Sequence, residues 1–207
     1  MGAEKELAAL VFDLGGVLIR WDPRTLYRKL LPDDQAVEHF LSEVGFYEWN
    51  LANDAGQPFA ETVPALCARH PAYAELIQAY DARYEEALSA PIEPSVEILR
   101  ELHAAGYPLY ALSNWPAEKF YLVRPRLAFL DLFDDILVSG DVKLIKPDPR
   151  IYHLMLERIG RPAGECLLID DTPGNIQAAA ALGFQTHHFV SPAGLRADLK
   201  LLGYRIA

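Results

Sequence analysis

An apolar run that ends in a carboxylate and a glycine turn, Ala8-Ala9-Leu10-Val11-Phe12-Asp13-Leu14-Gly15-Gly16, is the most informative part of this chain. Consecutive apolar residues bounded by a turn predict a strand that is buried on both faces, as in parallel sheets. Doubly wound α/β proteins carry their chemistry at the carboxyl ends of such strands. We therefore expect Asp13 to lie at that edge, in the position of a nucleophile.

Three further charged residues that could join Asp13 lie far along the chain. The apolar run Leu167-Leu168-Ile169 ends in Asp170 and Asp171, and Lys146 precedes a proline. Carboxylates gathered at strand ends repel one another unless a divalent cation lies among them. The pattern predicts a metal site that includes Asp13 and the later pair.

Composition limits the class of protein. The chain has 207 residues, 51% of them hydrophobic, which fits one domain or one domain with an insert. Its 19 Lys and Arg against 29 Asp and Glu give a net charge of −10 without a basic run, so we expect neither a nucleic-acid partner nor a membrane partner. Residues 1–6 do not resemble a signal peptide, and Cys67 and Cys166 lack zinc spacing. We expect a cytoplasmic protein.

Strand and helix patterns alternate from Ile92 onward. Several of the helical stretches begin at a proline or end at a glycine. Alternation of this kind predicts an α/β fold with a Rossmann-like, doubly wound parallel sheet and helices on both faces. The predicted strands are 8–12, 109–112, 135–138, 166–169 and 185–189, and the predicted helices are 95–105, 116–126, 149–159, 173–182 and 192–202.

A helical block interrupts this alternation directly after Asp13. From about Pro23 to Ser89 the pattern is helical and no strand is evident. We expect residues 20–91 to form a small α-helical cap domain over the catalytic edge, and residues 1–19 and 92–207 to form the core. The predicted cap helices are 25–31, 34–44, 59–69 and 73–88.

Polar groups suited to a phosphate follow several of the predicted strands. Asp148-Pro149 and Thr172-Pro173 each place an N-cap side chain before a proline at the first helical position. Ser113-Asn114 presents a hydroxyl and backbone N–H groups at the same edge. A phosphate held by these donors and by Lys146, beside a cation, would have the charge neutralisation that lets a carboxylate approach it.

Four motifs in order resemble those of the haloacid dehalogenase-like (HAD) hydrolase superfamily, in which a helical cap follows the first motif. The resemblance extends from about Leu7 to Phe189. The motifs are Asp13-Leu-Gly-Gly-Val, Leu112-Ser113-Asn114, Lys146-Pro147-Asp148-Pro149-Arg150-Ile151-Tyr152 and Ile169-Asp170-Asp171-Thr-Pro-Gly-Asn175.

This resemblance implies a role for each matching residue. Asp13 is the nucleophile that forms a covalent aspartyl intermediate, and Lys146 is the second catalytic residue. Substrate binding falls to Ser113, Asn114 and Lys146. The resemblance also implies Mg²⁺, held by Asp13, the backbone carbonyl of Gly15, Asp170 and Asp171.

One position departs from the family pattern. Family phosphatases usually carry a second Asp two residues after the nucleophile, which protonates the leaving group, and Gly15 stands there instead. Loss of a general acid typically costs about 10²- to 10⁴-fold in rate, so a simple alkyl phosphate is expected to be a poor substrate. A sugar 1-phosphate has a less basic leaving group. Alternatively, water or a cap residue supplies the proton.

Three functions stay open at this point. The favoured one is a phosphatase acting on a small phosphorylated metabolite such as a sugar phosphate, because both Asp170 and Asp171 are present. A 2-haloacid dehalogenase, whose halide needs no proton, is the alternative. The third is a catalytically idle relative that binds a ligand or a partner.

Residues beside the motifs are candidates for substrate contact. Arg20 and Arg24 either hold a substrate anion or lie at the surface. Trp21 and Trp115 directly follow motif segments, which makes them candidates for lining the pocket.

Overall fold

The computed structural model describes residues 9–207, and its central sheet has five parallel strands. Ala8 and the charged start of the chain lie outside these residues. The strands are β1 (Ala9–Phe12), β2 (Ile19–Trp21), β3 (Leu88–Pro91), β4 (Leu109–Ser113), β5 (Asp135–Val138), β6 (Cys166–Asp170) and β7 (Gln185–His188). The helices are α1 (Pro23–Tyr27), α2 (Asp34–Glu43), α3 (Phe46–Asp54), α4 (Phe59–Arg69), α5 (Ala74–Ala82), α6 (Glu93–Ala104), α7 (Ala117–Val123), α8 (Ser139–Val142), α9 (Pro149–Ile159), α10 (Pro173–Ala181) and α11 (Pro192–Leu201).

Strand β1 lies at the centre of the sheet, whose order is β5-β4-β1-β6-β7. Leu10 and Phe12 belong to an apolar core shared with α6, α11 and the helices after β2, whereas Ala9 and Val11 pack with α9 and α10 on the opposite face. Both faces of the strand are therefore covered, which explains its unbroken apolar sequence. The predicted Rossmann-like α/β fold is confirmed.

The register of the sheet brings the polar strand ends together. Phe12 pairs with Ala111 of β4 on one side and with Ile169 of β6 on the other. The backbone N–H of Asp13 continues the ladder, donating to the carbonyl of Ile169 at 2.8 Å. As a result Asp13, Ser113 and Asp170 lie next to one another at the same edge of the sheet.

The chain enters and leaves the helical block through neighbouring strands. In the two-stranded antiparallel sheet of β2 and β3, Trp21 pairs with Leu88 and Ile19 with Pro91. The expectation of no strand before Ser89 is therefore wrong for the first residues of β3. The predicted helix 73–88 is too long, because α5 ends at Ala82 and a 3₁₀ turn over Tyr84–Ala87 leads into that strand.

Helix α3 is an addition to the predicted elements. It begins after Gly45, which has a left-handed φ of 62°, and it buries residues on more than one side, among them Phe46, Trp49 and Asn50. Its sequence therefore lacks the single apolar stripe that predicts helices such as α2 and α9. Helix α8, of only four residues, was likewise not predicted.

No helix within residues 9–207 combines the length and apolarity needed to cross a bilayer.

Candidate active site

A buried lysine joins two of the carboxylates at the sheet edge. Lys146 Nζ lies 2.9 Å from Asp13 Oδ2 and 2.6 Å from Asp170 Oδ2. Asp170 is fully buried, and Asp13 is only 8% exposed. The structure thus brings together three residues that are far apart in the sequence.

Asp170 is held by α10 as well as by the lysine. Its Oδ1 accepts hydrogen bonds from the backbone N–H of Thr172 at 2.9 Å and from Asn175 Nδ2 at 3.0 Å. Thr172 occupies the N-cap position, but its side chain makes no capping bond. Asp148 does cap α9, as predicted, by accepting from the N–H of Arg150 at 2.9 Å.

Asp171 completes a group of three carboxylates. Asp13, Asp170 and Asp171 each offer an oxygen, and these atoms lie within 4.8 Å of one another. Gly15 lies beside them, and it lines a cavity together with Asp13 and Asp171. Carboxylate and carbonyl oxygens are the ligands that Mg²⁺ prefers, so this donor set fits that ion.

The charges of this group act on one another. Burial, more than any other influence, raises the pKa of Asp13 to about 7; Lys146 opposes that rise, and Asp170 and Asp171 add to it. Burial alone would lower the pKa of Lys146, but Asp13 and Asp170 outweigh it and raise that pKa above its usual value. Lys146 therefore stays a cation, and Asp13 needs further positive charge to ionise fully at neutral pH.

The side chain of Asn114 positions Lys146. Asn114 Nδ2 donates to the backbone carbonyl of Lys146 at 3.0 Å, and the N–H of Lys146 donates to Asn114 Oδ1 at 2.8 Å. Ser113 is buried at the end of β4, and both Ser113 and Asn114 line the cavity above Asp13. Substrate binding by these two residues stays a prediction.

The cavity above Asp13 has a volume of about 530 Å³, and its lining comes both from the edge of the five-stranded sheet and from the helical block. Trp21 and Trp115 both line it, as does Arg20, whereas Arg24 is bound to Glu38 through a 2.9 Å contact. The other lining residues are Asp13, Gly15, Gly16, Ile19, Asp22, Asn50, Asp54, Tyr84, Ser113, Asn114, Asp171 and Thr172.

Several of these lining residues were not expected from the sequence, and three of them carry polar groups from the helical block. Asn50, Asp54 and Tyr84 come from the helical block and reach the cavity only because that block folds onto the sheet edge. Local sequence carries no signal that separates Asp54 from the many other carboxylates of the chain. Asn175 stands in the fourth motif, and its contact with Asp170 gives it a positioning role.

The chain is similar to known hydrolases in sequence. A family model described as haloacid dehalogenase-like hydrolase matches residues 7–183. A sesquiterpene phosphatase of Aspergillus oryzae is 28% identical over 205 residues, which cover 94% of this chain and 95% of that enzyme. An (S)-2-haloacid dehalogenase of Burkholderia cepacia is 30% identical over 103 residues, covering 50% of this chain and 44% of that enzyme.

One solved structure resembles this chain over most of the length of both proteins. It is a HAD family enzyme from Bacteroides thetaiotaomicron in complex with magnesium and inorganic phosphate. The TM-score is 0.65 at 23% sequence identity, and the match covers 87% of this chain and 93% of that one. At this identity the likeness shows the fold.

Proposed function

Because the chain belongs to the haloacid dehalogenase-like hydrolase family, we propose that it is a Mg²⁺-dependent phosphatase that acts on a small phosphorylated metabolite such as a sugar phosphate. The observation that carries this proposal is the group of three carboxylates, Asp13, Asp170 and Asp171, whose oxygens lie within 4.8 Å of one another. Mg²⁺ bound there would favour the ionised form of Asp13 and draw charge from the phosphoryl oxygens.

The residues of the chain account for the rest of the reaction. Asp13 Oδ attacks phosphorus as the bond from phosphorus to the ester oxygen breaks and the alcohol leaves, and water then hydrolyses the aspartyl-phosphate to release inorganic phosphate and restore Asp13. Lys146 is fixed close to Asp13 by Asn114 and by its ion pairs, so its ammonium can stabilise the negative charge of the transferring group. Ser113 contributes a hydroxyl at the same edge.

The alternative, a 2-haloacid dehalogenase, fits this site less well. Attack on carbon requires an ionised carboxylate without help from a metal, but burial and two neighbouring carboxylates raise the pKa of Asp13 to about 7. The likeness to a haloacid dehalogenase covers 50% of this chain and 44% of that enzyme, and it supports membership of the family, not the reaction.

The cavity supports a small substrate. We propose that residues 20–91 act as a cap whose side chains surround the leaving group, with Trp21 and Tyr84 as aromatic walls. Arg20 lies at the same wall and is suited to a second anionic group on the substrate.

A parallel screen of sugar phosphates, nucleotides and 2-haloacids, each with Mg²⁺ and with EDTA, tests the proposed function. We expect release of inorganic phosphate from at least one ester with Mg²⁺ and none with EDTA. Halide release that is undiminished in EDTA would establish the dehalogenase instead, and failure to turn over any compound, including aryl phosphates, would favour the idle relative.

A further inference from the structure

Asp54 is a buried carboxyl group of the cap that faces the same cavity as the nucleophile. It is the last residue of α3, and it lines the cavity together with Asp13 and Gly15. Its backbone carbonyl accepts a 2.6 Å hydrogen bond from Ser139 Oγ of the core. This bond ties the end of α3 to the core beside the active site.

A chain of hydrogen bonds orients the Asp54 side chain. Asn50 Nδ2 donates to Asp54 Oδ2 at 3.1 Å, and Asn50 Oδ1 accepts from the Tyr80 hydroxyl at 2.8 Å. The Tyr80 hydroxyl in turn accepts from Trp21 Nε1 at 3.2 Å. Within residues 9–207 no hydrogen bond uses Asp54 Oδ1, so this oxygen is available to a molecule in the cavity.

Other ionisable groups in the cavity are poorly suited to donate a proton. Asp13 is the nucleophile, and Asp171 belongs to the carboxylate group beside it. Arg20 lies at the wall of the cavity and is suited to bind an anionic group of the substrate. Asp22 is bound to Arg24, because its Oδ1 accepts from the backbone N–H of Arg24 at 3.0 Å and lies 3.4 Å from the Arg24 guanidinium. Burial raises the pKa of Tyr84 well above its usual value.

We propose that Asp54 is the general acid and base of this enzyme, and that the cap thereby supplies the function that Gly15 cannot. The inference rests on the proposed phosphatase activity. It replaces the expectation that simple alkyl phosphates are poor substrates, because a cap residue now protonates their leaving group.

The proton can be followed through both halves of the reaction. As Asp13 Oδ bonds to phosphorus, the bond from phosphorus to the ester oxygen breaks, and that oxygen takes the proton of Asp54. The Asp54 carboxylate then removes a proton from water as the water oxygen bonds to phosphorus. The bond to Asp13 breaks, inorganic phosphate leaves, and Asp54 is protonated again.

The surroundings of Asp54 favour its protonated form. Burial raises the pKa of Asp54 to about 7, and the negative charge of Asp13 adds to this effect. The titratable groups that interact with it are Asp13 just after β1, Tyr80 on α5 and Tyr84 in the turn that follows α5. A group with this pKa can serve as acid and as base near neutral pH.

Asp54→Asn tests the proposal, with Glu48→Gln on the exposed side of the same helix as its matched control. The side-chain oxygen of Asn can still accept from Asn50, so the fold should be retained, which the melting temperature checks.

With an alkyl phosphate, we expect single-turnover phosphoryl transfer by Asp54→Asn to fall about 10²- to 10⁴-fold. With p-nitrophenyl phosphate, whose leaving group needs no proton, we expect a burst of one equivalent of nitrophenolate followed by slow turnover. Glu48→Gln should behave as wild type.

Equal slowing of the first step for both esters, or wild-type rates for both, would overturn the proposal. The wild type gives a second measurement that requires no variant: its rate should depend only weakly on leaving-group pKa, and a steep dependence would also overturn it. Rescue of the alkyl ester by Gly15→Asp in the Asp54→Asn background would support it. If the wild type hydrolyses no ester at all with Mg²⁺, the proposed function fails and this inference fails with it.

Discussion

Two adjacent glycines in the turn after Asp13 meet different surroundings. Gly16 has a φ of 73°, and a Cβ there would collide with the Asp171 carboxylate. Gly15 has no positive φ, and a Cβ there would meet nothing within 4 Å. Gly16 is therefore required by the carboxylate group, whereas Gly15 leaves space in the cavity.

Gly16→Ala should disable the metal site, because the new methyl group displaces the Asp171 carboxylate. We expect Mg²⁺ affinity to fall by about 10-fold or more, by analogy with the loss of supporting groups at other metal sites. Gly15→Ala is the matched control and should keep the affinity of the wild type. Titration with Mg²⁺, followed by activity and by melting temperature, measures both; equal affinities in the two variants would contradict the assigned role of Gly16.

Asp13→Asn should fold but lose turnover. An amide cannot attack phosphorus, so we expect a loss of about 10³-fold or more. The variant also removes one of three clustered negative charges, so its melting temperature in EDTA should not fall. Phosphate release and thermal unfolding provide the two readouts. A variant with a tenth of the wild-type rate would place the nucleophile elsewhere.

Burial of Asp54 should make the stability of the protein depend on pH. Its pKa of about 7 lies above the ordinary value of 3.8, so between these values the folded state holds the proton that the unfolded state releases. Unfolding therefore becomes easier as pH rises, by up to about 1.4 kcal/mol per pH unit. Asp54→Asn lacks this contribution.

Urea unfolding at pH 5, 6, 7 and 8 in EDTA tests that difference. Relative to the wild type, Asp54→Asn should gain in free energy of unfolding as pH rises through this range. Because Asp13 and Asp54 interact, the comparison is repeated in the Asp13→Asn background, where Asp54 is the only one of the two that can titrate. Parallel curves for the two proteins would show that Asp54 ionises normally in the folded state.

Some site residues could be predicted from the sequence and others could not. Asp13 and Asp170 could be predicted to lie together because each follows an apolar strand, and parallel strands end at one edge. Asp54 could not, because its position depends on the contact of α3 with Ser139, which lies far away in the sequence. Gly15 showed where a proton donor was needed but not which residue supplies it.

Helix α4 of the cap is capped by a residue of the core. Its N-cap residue, Pro58, offers no side-chain hydrogen bond, and the N–H of Phe59 donates instead to Glu118 Oε1 of α7 at 2.8 Å. The negative charge also lies near the positive end of the α4 dipole. One carboxylate thus stabilises a helix start and fastens the cap to the core.

Glu118→Ala should destabilise the protein by about 1 kcal/mol, the usual cost of losing an N-cap acceptor. Glu118→Gln keeps an oxygen acceptor and should cost less than half as much. Denaturant unfolding measures both, and hydrogen exchange at Phe59 localises the effect. Equal losses in Ala and Gln would show that charge matters here and the hydrogen bond does not.

The elements of the core could be predicted more reliably than those of the cap. Strands such as β4 and β6 are buried on both faces and stand out as apolar runs. The short strand β3 exists because Leu88 pairs with Trp21, a tertiary contact that overrides the local helical pattern.

For the molecule as a whole, the active site holds more negative charge than the one nearby ammonium group can neutralise. Three carboxylates share one ammonium group in a protein whose net charge is −10. Mg²⁺ bound to the folded state should raise the melting temperature, by an amount that corresponds to about 2.7 kcal/mol at 100 times the dissociation constant. Thermal unfolding across a Mg²⁺ series checks this, with Asp13→Asn as a weaker binder. An unchanged melting temperature would remove the metal from the proposed function.

The central place of β1 in the sheet determines when the site can form during synthesis. Strand β1 is made before its neighbours, because Leu10 pairs with Leu109 of β4 and Leu167 of β6, which leave the ribosome much later. Until β6 has been made, one edge of β1 has no partner, and the nucleophile has no Asp170 beside it. Pairings between distant parts of a chain form slowly and leave apolar strands exposed meanwhile. We therefore expect nascent chains that stop short of β6 to be inactive and prone to aggregate, with chaperones prolonging the time available for the last strands to pair.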